Sequence, residues 1–144
     1  NYFIKSPETP EEWDKYFLFR WEMLRKPLGM SKDSLQDDQE ESSFHLIALD
    51  DHEKVVGSGR VHFNSNVEAQ IRYMAVSEDL KRRGIGSEIV KKLEEHAGKS
   101  GAKTVILNAR EEAINFYLSL DYLEGGPYTS DTGIPHTTMK KILS

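Results

Sequence analysis

Seven consecutive residues, Lys81-Arg82-Arg83-Gly84-Ile85-Gly86-Ser87, have the types and spacing to hold an anion. Two glycines flank Ile85, so the backbone can turn sharply and come close to a ligand. An amphipathic helix begins here, and its unpaired N–H groups and positive dipole end suit a phosphate. A plain tight turn also uses Gly-x-Gly, so the elements around the stretch decide its meaning. Other chemistries are poorly represented. With no cysteine there is no disulfide framework, thiolate metal site or cysteine nucleophile. The five histidines show no His-x-x-x-His spacing, so no metal site is expected.

The 144 residues suit one domain, expected to span 1–144, and 38% hydrophobic with 30% charged residues is ordinary for a globular chain. A formal charge of −5 argues against general nucleic-acid or anionic-membrane binding, which need a basic face. The local excess of cations at Lys81–Arg83 fits a small anionic ligand better than a polyanion. No apolar run approaches a membrane span and no signal-peptide pattern is present, so a cytoplasmic protein is expected.

The elements that must position this stretch follow from periodicity. Tyr2–Lys5 reads as a strand. Thr9-Pro10-Glu11-Glu12 reads as a helix start with Thr9 as N-cap and Glu12 closing a capping box. That helix is expected to run to about Lys26, with Trp13, Phe17, Trp21 and Leu24 as its apolar face. Pro27–Ser43 is polar and acidic: a short second helix, a mobile loop or a substrate-side lid, its acidic run Asp37–Glu41 read as a solvated face. Phe44–Leu49, Lys54–Phe63 and Val67–Val76 read as an antiparallel meander, with Gly57 and Gly59 marking bending or close backbone approach. Ile85, Ile89, Leu93 and Ala97 predict a helix ended by Gly98 and Gly101, followed by a strand at Lys103–Asn108 and hence a parallel crossover. Glu111–Leu120 reads as a short helix with Ile114, Tyr117 and Leu118 on one side. Asp121–Glu124 and His136–Leu143 read as last strands joined by a Gly/Pro-rich loop. The glycine turn falls where the meander passes into the parallel unit, a place where sheets open a ligand crevice.

In this order of elements the chain resembles the GNAT superfamily of acetyl-CoA-dependent N-acetyltransferases. The resemblance is most specific over Arg72–Tyr122. Ile71–Val76 followed by Lys81-Arg82-Arg83-Gly84-Ile85-Gly86 is similar to the family's acetyl-CoA motif, Gln/Arg-x-x-Gly-x-Gly/Ala. Ala113–Tyr122 resembles its downstream helix, A-I-x-F-Y-x-x-x-G-F/Y. Three positions depart from the pattern: Lys81 stands for Gln or Arg, Arg110 for an Asn that contacts the pantetheine region, and Asp121 for Gly.

The resemblance implies an α+β fold, a mixed and mostly antiparallel sheet flanked by helices, with acetyl-CoA as cosubstrate and no metal. It implies pyrophosphate binding by backbone N–H groups from Arg82 to Ser87, with added charge from Lys81, Arg82 and Arg83. A strand bulge would turn the backbone of Met74, Ala75 and Val76 toward the thioester and pantetheine, and Asn108 and Arg110 would line the cofactor. Tyr117 would act as general acid on the leaving CoA thiolate. Glu41, His45, His62 and Glu68 are candidates for the base, and His136, in a Gly-Ile-Pro-His step that resembles a bacterial subgroup, either faces the acceptor or caps a strand. Absence of cysteine favours direct transfer in a ternary complex. The acceptor would be a small-molecule or peptide amine, with the acidic Asp33–Glu41 stretch hinting at a cationic one; a homodimer is possible. A sensor that binds acetyl-CoA with little transfer is the alternative. Another nucleotide-binding fold is disfavoured, because Ile89 occupies the third glycine position of Gly-x-Gly-x-x-Gly.

Overall fold

In the computed structural model, which describes residues 1–130 and 132–143, seven strands form one sheet with helices on both faces. The strands are β1 (Tyr2–Lys5), β2 (Phe44–Asp50), β3 (Val55–Phe63), β4 (Glu68–Val76), β5 (Thr104–Arg110), β6 (Leu123–Thr129) and β7 (Pro135–Ile142). Their spatial order is β1-β2-β3-β4-β5-β7-β6. Every neighbouring pair is antiparallel except β4 and β5. The expected meander and parallel crossover are both present.

Helix α1 (Pro10–Leu24) starts at Thr9, whose hydroxyl accepts from the Glu12 amide at 3.1 Å. The Glu12 carboxylate reaches past the cap to the Glu8 amide and also receives Lys5. The helix ends two residues early, and a 3-10 turn at Lys26–Leu28 carries the chain through Pro27 to Gly29. The residues buried along α1 are Tyr16, Phe19 and Arg20, whereas Trp13, Phe17, Trp21 and Leu24 are half-buried. Packing explains the difference. Tyr16 and Phe19 meet Ile47, Leu49, Val55 and Ala75 on one sheet face, while Trp13, Phe17 and Leu24 sit at the margins of that contact. Trp21 donates its indole N–H to the Met30 carbonyl, holding the next segment.

The opposite face carries α2 (Ile85–Lys99), whose Ile85, Ile89, Val90, Leu93 and Ala97 are fully buried in the larger core. Close approach is the reason for the two β3 glycines. A Cβ at Gly57 would lie 2.9 Å from Ile85 Cγ2, and one at Gly59 would lie 2.8 Å from Ile89 Cγ2 and 2.5 Å from Met74 Sδ. Gly98 lies inside α2 rather than at its end; the left-handed turn is at Gly101 (φ 107°).

Glu111–Ala113 forms a 3-10 turn that leads into α3 (Ile114–Leu118), so the expected longer helix is divided. Tyr117 is buried and Leu118 is exposed, which removes Leu118 from the expected apolar group. Gly125, Gly126 and Pro127, expected in a loop, lie within β6. As an edge strand with a register shift between Glu124 and Pro127, β6 tolerates a residue that cannot donate to a ladder.

Pro27–Ser43 holds a short 3-10 helix rather than an α-helix, and its acidic run is only partly solvated. A second 3-10 turn, Lys32–Leu35, buries Leu35, and the following carboxylates turn inward. Asp37 grips Arg60 with both oxygens at 2.8 and 3.0 Å and meets Arg72 at 3.0 Å. Glu40 grips Arg20 at 3.0 and 3.1 Å and also receives Arg60 at 3.0 Å. Arg20 and Arg60 are 0% exposed, so this network ties the segment to the sheet from below. Asp38 and Glu41 are exposed as expected.

Candidate active site

The sheet opens where its one parallel pair parts. β4 and β5 are in register only from Glu68–Gln70 against Thr104–Ile106, and beyond those residues both strands continue without each other. β4 also carries an extra residue here: Arg72 to Ala75 spans the distance of Arg60 to Ser58 on β3. Tyr73 absorbs the bulge in a left-handed conformation (φ 59°). A bulge bends its strand and leaves ladder groups unpaired, which is the arrangement the resemblance implied. The result is a cleft of about 1200 Å³ that runs between the strands from one face to the other.

On the α2 face, the cleft ends at the glycine turn. Arg82 (φ 69°) and Gly84 (φ 86°) are both left-handed, and Gly84 precedes the first helical residue. The first intrahelical bond of α2 runs from the Glu88 amide to the Gly84 carbonyl, so the Ile85, Gly86 and Ser87 amides precede the ladder and are left for a ligand. A Cβ at Gly86 would lie 3.3 Å from Phe116 Cζ, so this glycine lets the helix start close to α3. Lys81, Arg82 and Arg83 are exposed, and Lys81 pairs with Glu78 at 3.0 Å, which occupies the atypical residue's charge. The Ile85 side chain belongs to the core, so only its backbone is available to the cleft. These groups fit a bound pyrophosphate.

Along the walls, Met74 and Val76 turn their side chains into the α2-side core while Ala75 packs toward α1. All three border the cleft, together with Asn108 and Arg110 on β5. The Asn108 side-chain Oδ1 accepts from the Thr138 hydroxyl at 2.6 Å. Tyr117 lies in the wall too, with its ring edge-on to Phe116 and Tyr122. Burial pushes its phenol above the ordinary value of 10.0, so it stays protonated.

The histidines separate clearly. His45 is outside the cleft and serves as a clamp: its Nε2–H donates to the Glu40 carbonyl at 2.8 Å, and its Nδ1 accepts from Tyr16 Oη at 2.7 Å. Burial lowers the His45 pKa and pushes Tyr16 up to about 12. His62 borders the cleft with both ring nitrogens engaged, by Arg60 and Asn64. His136 also borders it, and its Nδ1–H donates to the Ile134 carbonyl at 2.6 Å. Glu41 and Glu68 do not line the cleft. Sequence reasoning missed the arginines. Arg20, Arg60 and Arg72 surround the Tyr73 ring at 3.9, 4.9 and 4.9 Å, and Arg25 stands 5.7 Å away. An arginine among the valines and glycines of the β3 run, and another on the aromatic side of α1, were the available signals.

A sheet split at a bulge beside a glycine-turn helix defines an acyl-CoA-type transferase site, and comparison with known proteins agrees. A family model described as the acetyltransferase (GNAT) domain matches residues 23–143. The chain belongs to the GNAT acetyltransferase family. The Bacillus subtilis protein YjcF, described as an uncharacterized N-acetyltransferase, is 31% identical over 135 residues, covering 93% of this chain and 95% of that protein. By fold, an aminoglycoside 6'-N-acetyltransferase complexed with coenzyme A superposes with a TM-score of 0.80 at 16% identity, covering 97% and 96% of the two chains. A GNAT-family acetyltransferase from Staphylococcus aureus gives 0.82 at 13% identity, covering 100% of both.

Proposed function

We propose that this GNAT enzyme acetylates a primary amine by direct transfer from acetyl-CoA, within one cytoplasmic domain spanning 1–144. The observation that carries the reading is the cleft itself. It joins a phosphate-fitting helix start and a buried, protonated phenol on one sheet face to a polar chamber on the other. When bound, acetyl-CoA supplies an activated acetyl thioester and a thiol leaving group. Amides at Ile85, Gly86 and Ser87 bind pyrophosphate oxygens, aided by Arg82 and Arg83. The unpaired β4 edge at Met74 offers a backbone donor to the carbonyl oxygen; such donors are worth roughly 2.7–4 kcal/mol. Tyr117 holds the proton that the departing sulfur needs.

The amine must shed a proton before attack, and His136 is the assigned acceptor. A carbonyl cannot donate, so the Nδ1 proton belongs to the bond with Ile134, and no described residue engages Nε2. His62 has no such free nitrogen. The test is release of free CoA with a panel of amines comprising amino acids, polyamines, aminoglycosides and peptide N-termini. Turnover with one class supports transfer; binding of acetyl-CoA with no release from any amine reassigns the chain as a sensor.

A further inference from the structure

On the α1 face, the cleft holds cations that no group of the described chain neutralises. Arg25, at the end of α1, is 9% exposed and borders the cleft. Its Nη1 reaches only the Leu24 carbonyl, at 3.2 Å, and its Nε has no partner. Arg110, at the end of β5, borders the same cleft. Neither takes part in an ion pair among the described residues. A buried charge without a partner is costly, so Arg25, with the half-buried Arg110 bordering the same cleft, persists where function supplies the counterion.

The neighbouring charges sharpen this contrast. Asp37 and Glu40 are fully engaged by Arg20, Arg60 and Arg72. Asp38 and Glu112 also border the cleft, but both are exposed and pair with neither arginine. Burial works against the charge of Arg25, and Arg72, Arg110 and Arg20 add repulsion that the Tyr73 ring opposes. Pyrophosphate does not need these residues, because Arg82 and Arg83 stand by the α2 N-terminus, on the other face of the sheet. Within the acidic stretch that hinted at a cationic acceptor, Asp37 and Glu40 therefore neutralise the protein's own arginines, and among the described residues the surplus charge facing the chamber is positive.

We infer that the acceptor carries a carboxylate or phosphate beside its amine, and that Arg25 and Arg110 receive this group. The inference rests on the transferase reading above. Guanidinium forks match either anion in a bidentate manner, fixing the amine's direction toward the Met74 edge.

The experiment measures CoA release with matched acceptors: glycine against glycinamide, phosphoethanolamine against ethanolamine, and spermidine. The anionic member of at least one pair is expected to have a kcat/KM more than tenfold higher, and the pair that responds identifies carboxylate or phosphate. Arg25→Gln and Arg110→Gln are expected to raise KM for that member at least tenfold while changing kcat less. Equal or better use of the neutral amines or spermidine overturns the inference and leaves the transferase reading intact. Release from no amine overturns that reading; the inference is then decided without turnover. With CoA saturating the cleft, acetate and inorganic phosphate are titrated against the arginine Nε–H resonances. A saturable shift at Arg25 or Arg110, absent with chloride, supports the anion site, and no shift overturns it.

Discussion

Tyr117 shows how a residue's environment sets its use. Its ring packs against Phe116 and Tyr122, and burial keeps the hydroxyl protonated while the side chain still borders the cleft. Tyr117→Phe keeps that packing and removes only the proton, so kcat is expected to fall roughly 10²-fold or more while the acetyl-CoA-induced rise in melting temperature persists. Unchanged kcat removes Tyr117 from the mechanism. Because its folded pKa lies above 10.0, the wild-type kcat profile is expected to show no fall from Tyr117 ionisation below that pH. His136→Gln is expected to lower kcat by a similar factor, with partial recovery when imidazole is added; loss without recovery points to a strand-capping role instead. Asp121 sits in a left-handed conformation (φ 74°), the backbone region that favours Gly. Asp121→Gly is therefore expected to be neutral or slightly stabilising in thermal unfolding, because relief of about 1–2 kcal/mol of backbone strain offsets glycine's added freedom; a fall in melting temperature contradicts this account of the turn.

At the scale of elements, the segment between α1 and β2 is held by charge. Burial opposes the Asp37 charge, but the Arg60 fork, the Gln39 amide and Arg72 hold its carboxyl down at about 2. A depressed carboxyl stabilises the fold above its ordinary value of 3.8 and loses that contribution as pH falls toward 2. The protein is thus expected to lose stability across that acid window, as followed by circular dichroism. Asp37→Asn flattens this loss and, by leaving the fully buried Arg60 short of its fork, costs about 3 kcal/mol at neutral pH. A variant as stable as wild type contradicts the anchoring role. These links were hard to read in the sequence because they join residues far apart along the chain. Asp37 and Glu40 look like part of a solvated run until Arg20, Arg60 and Arg72 are brought beneath them. The β3 glycines were legible as close approach, but only α2 packing distinguishes this from a bend. β6 was shortened because Gly125-Gly126-Pro127 reads as a loop unless its edge position is known.

Across the whole molecule, local patterns and tertiary consequences divide cleanly. The amphipathic α2, the meander and the crossover each have a period or a turn that identifies them, so the layout of the sheet and the place of the glycine turn beside its opening were readable. The α1-side half of the cleft depends on how α1, the ends of β4 and β5 and the acidic segment meet, and no short motif encodes that meeting. Arg25 carries no signal of its own, and Arg110 reads only as a departure at a cofactor-lining position, until the cleft places them together. The central claim is that the split sheet and the glycine turn bind acetyl-CoA. It is tested most directly by thermal unfolding of the protein with and without acetyl-CoA. At a hundredfold excess over its dissociation constant, the ligand adds about 2.7 kcal/mol, which corresponds to a rise of roughly 5–11 °C for a chain of this size. Gly86→Val, whose side chain crowds Phe116 at the helix start, is expected to abolish most of that rise. No rise in the wild-type protein at saturating acetyl-CoA contradicts the account.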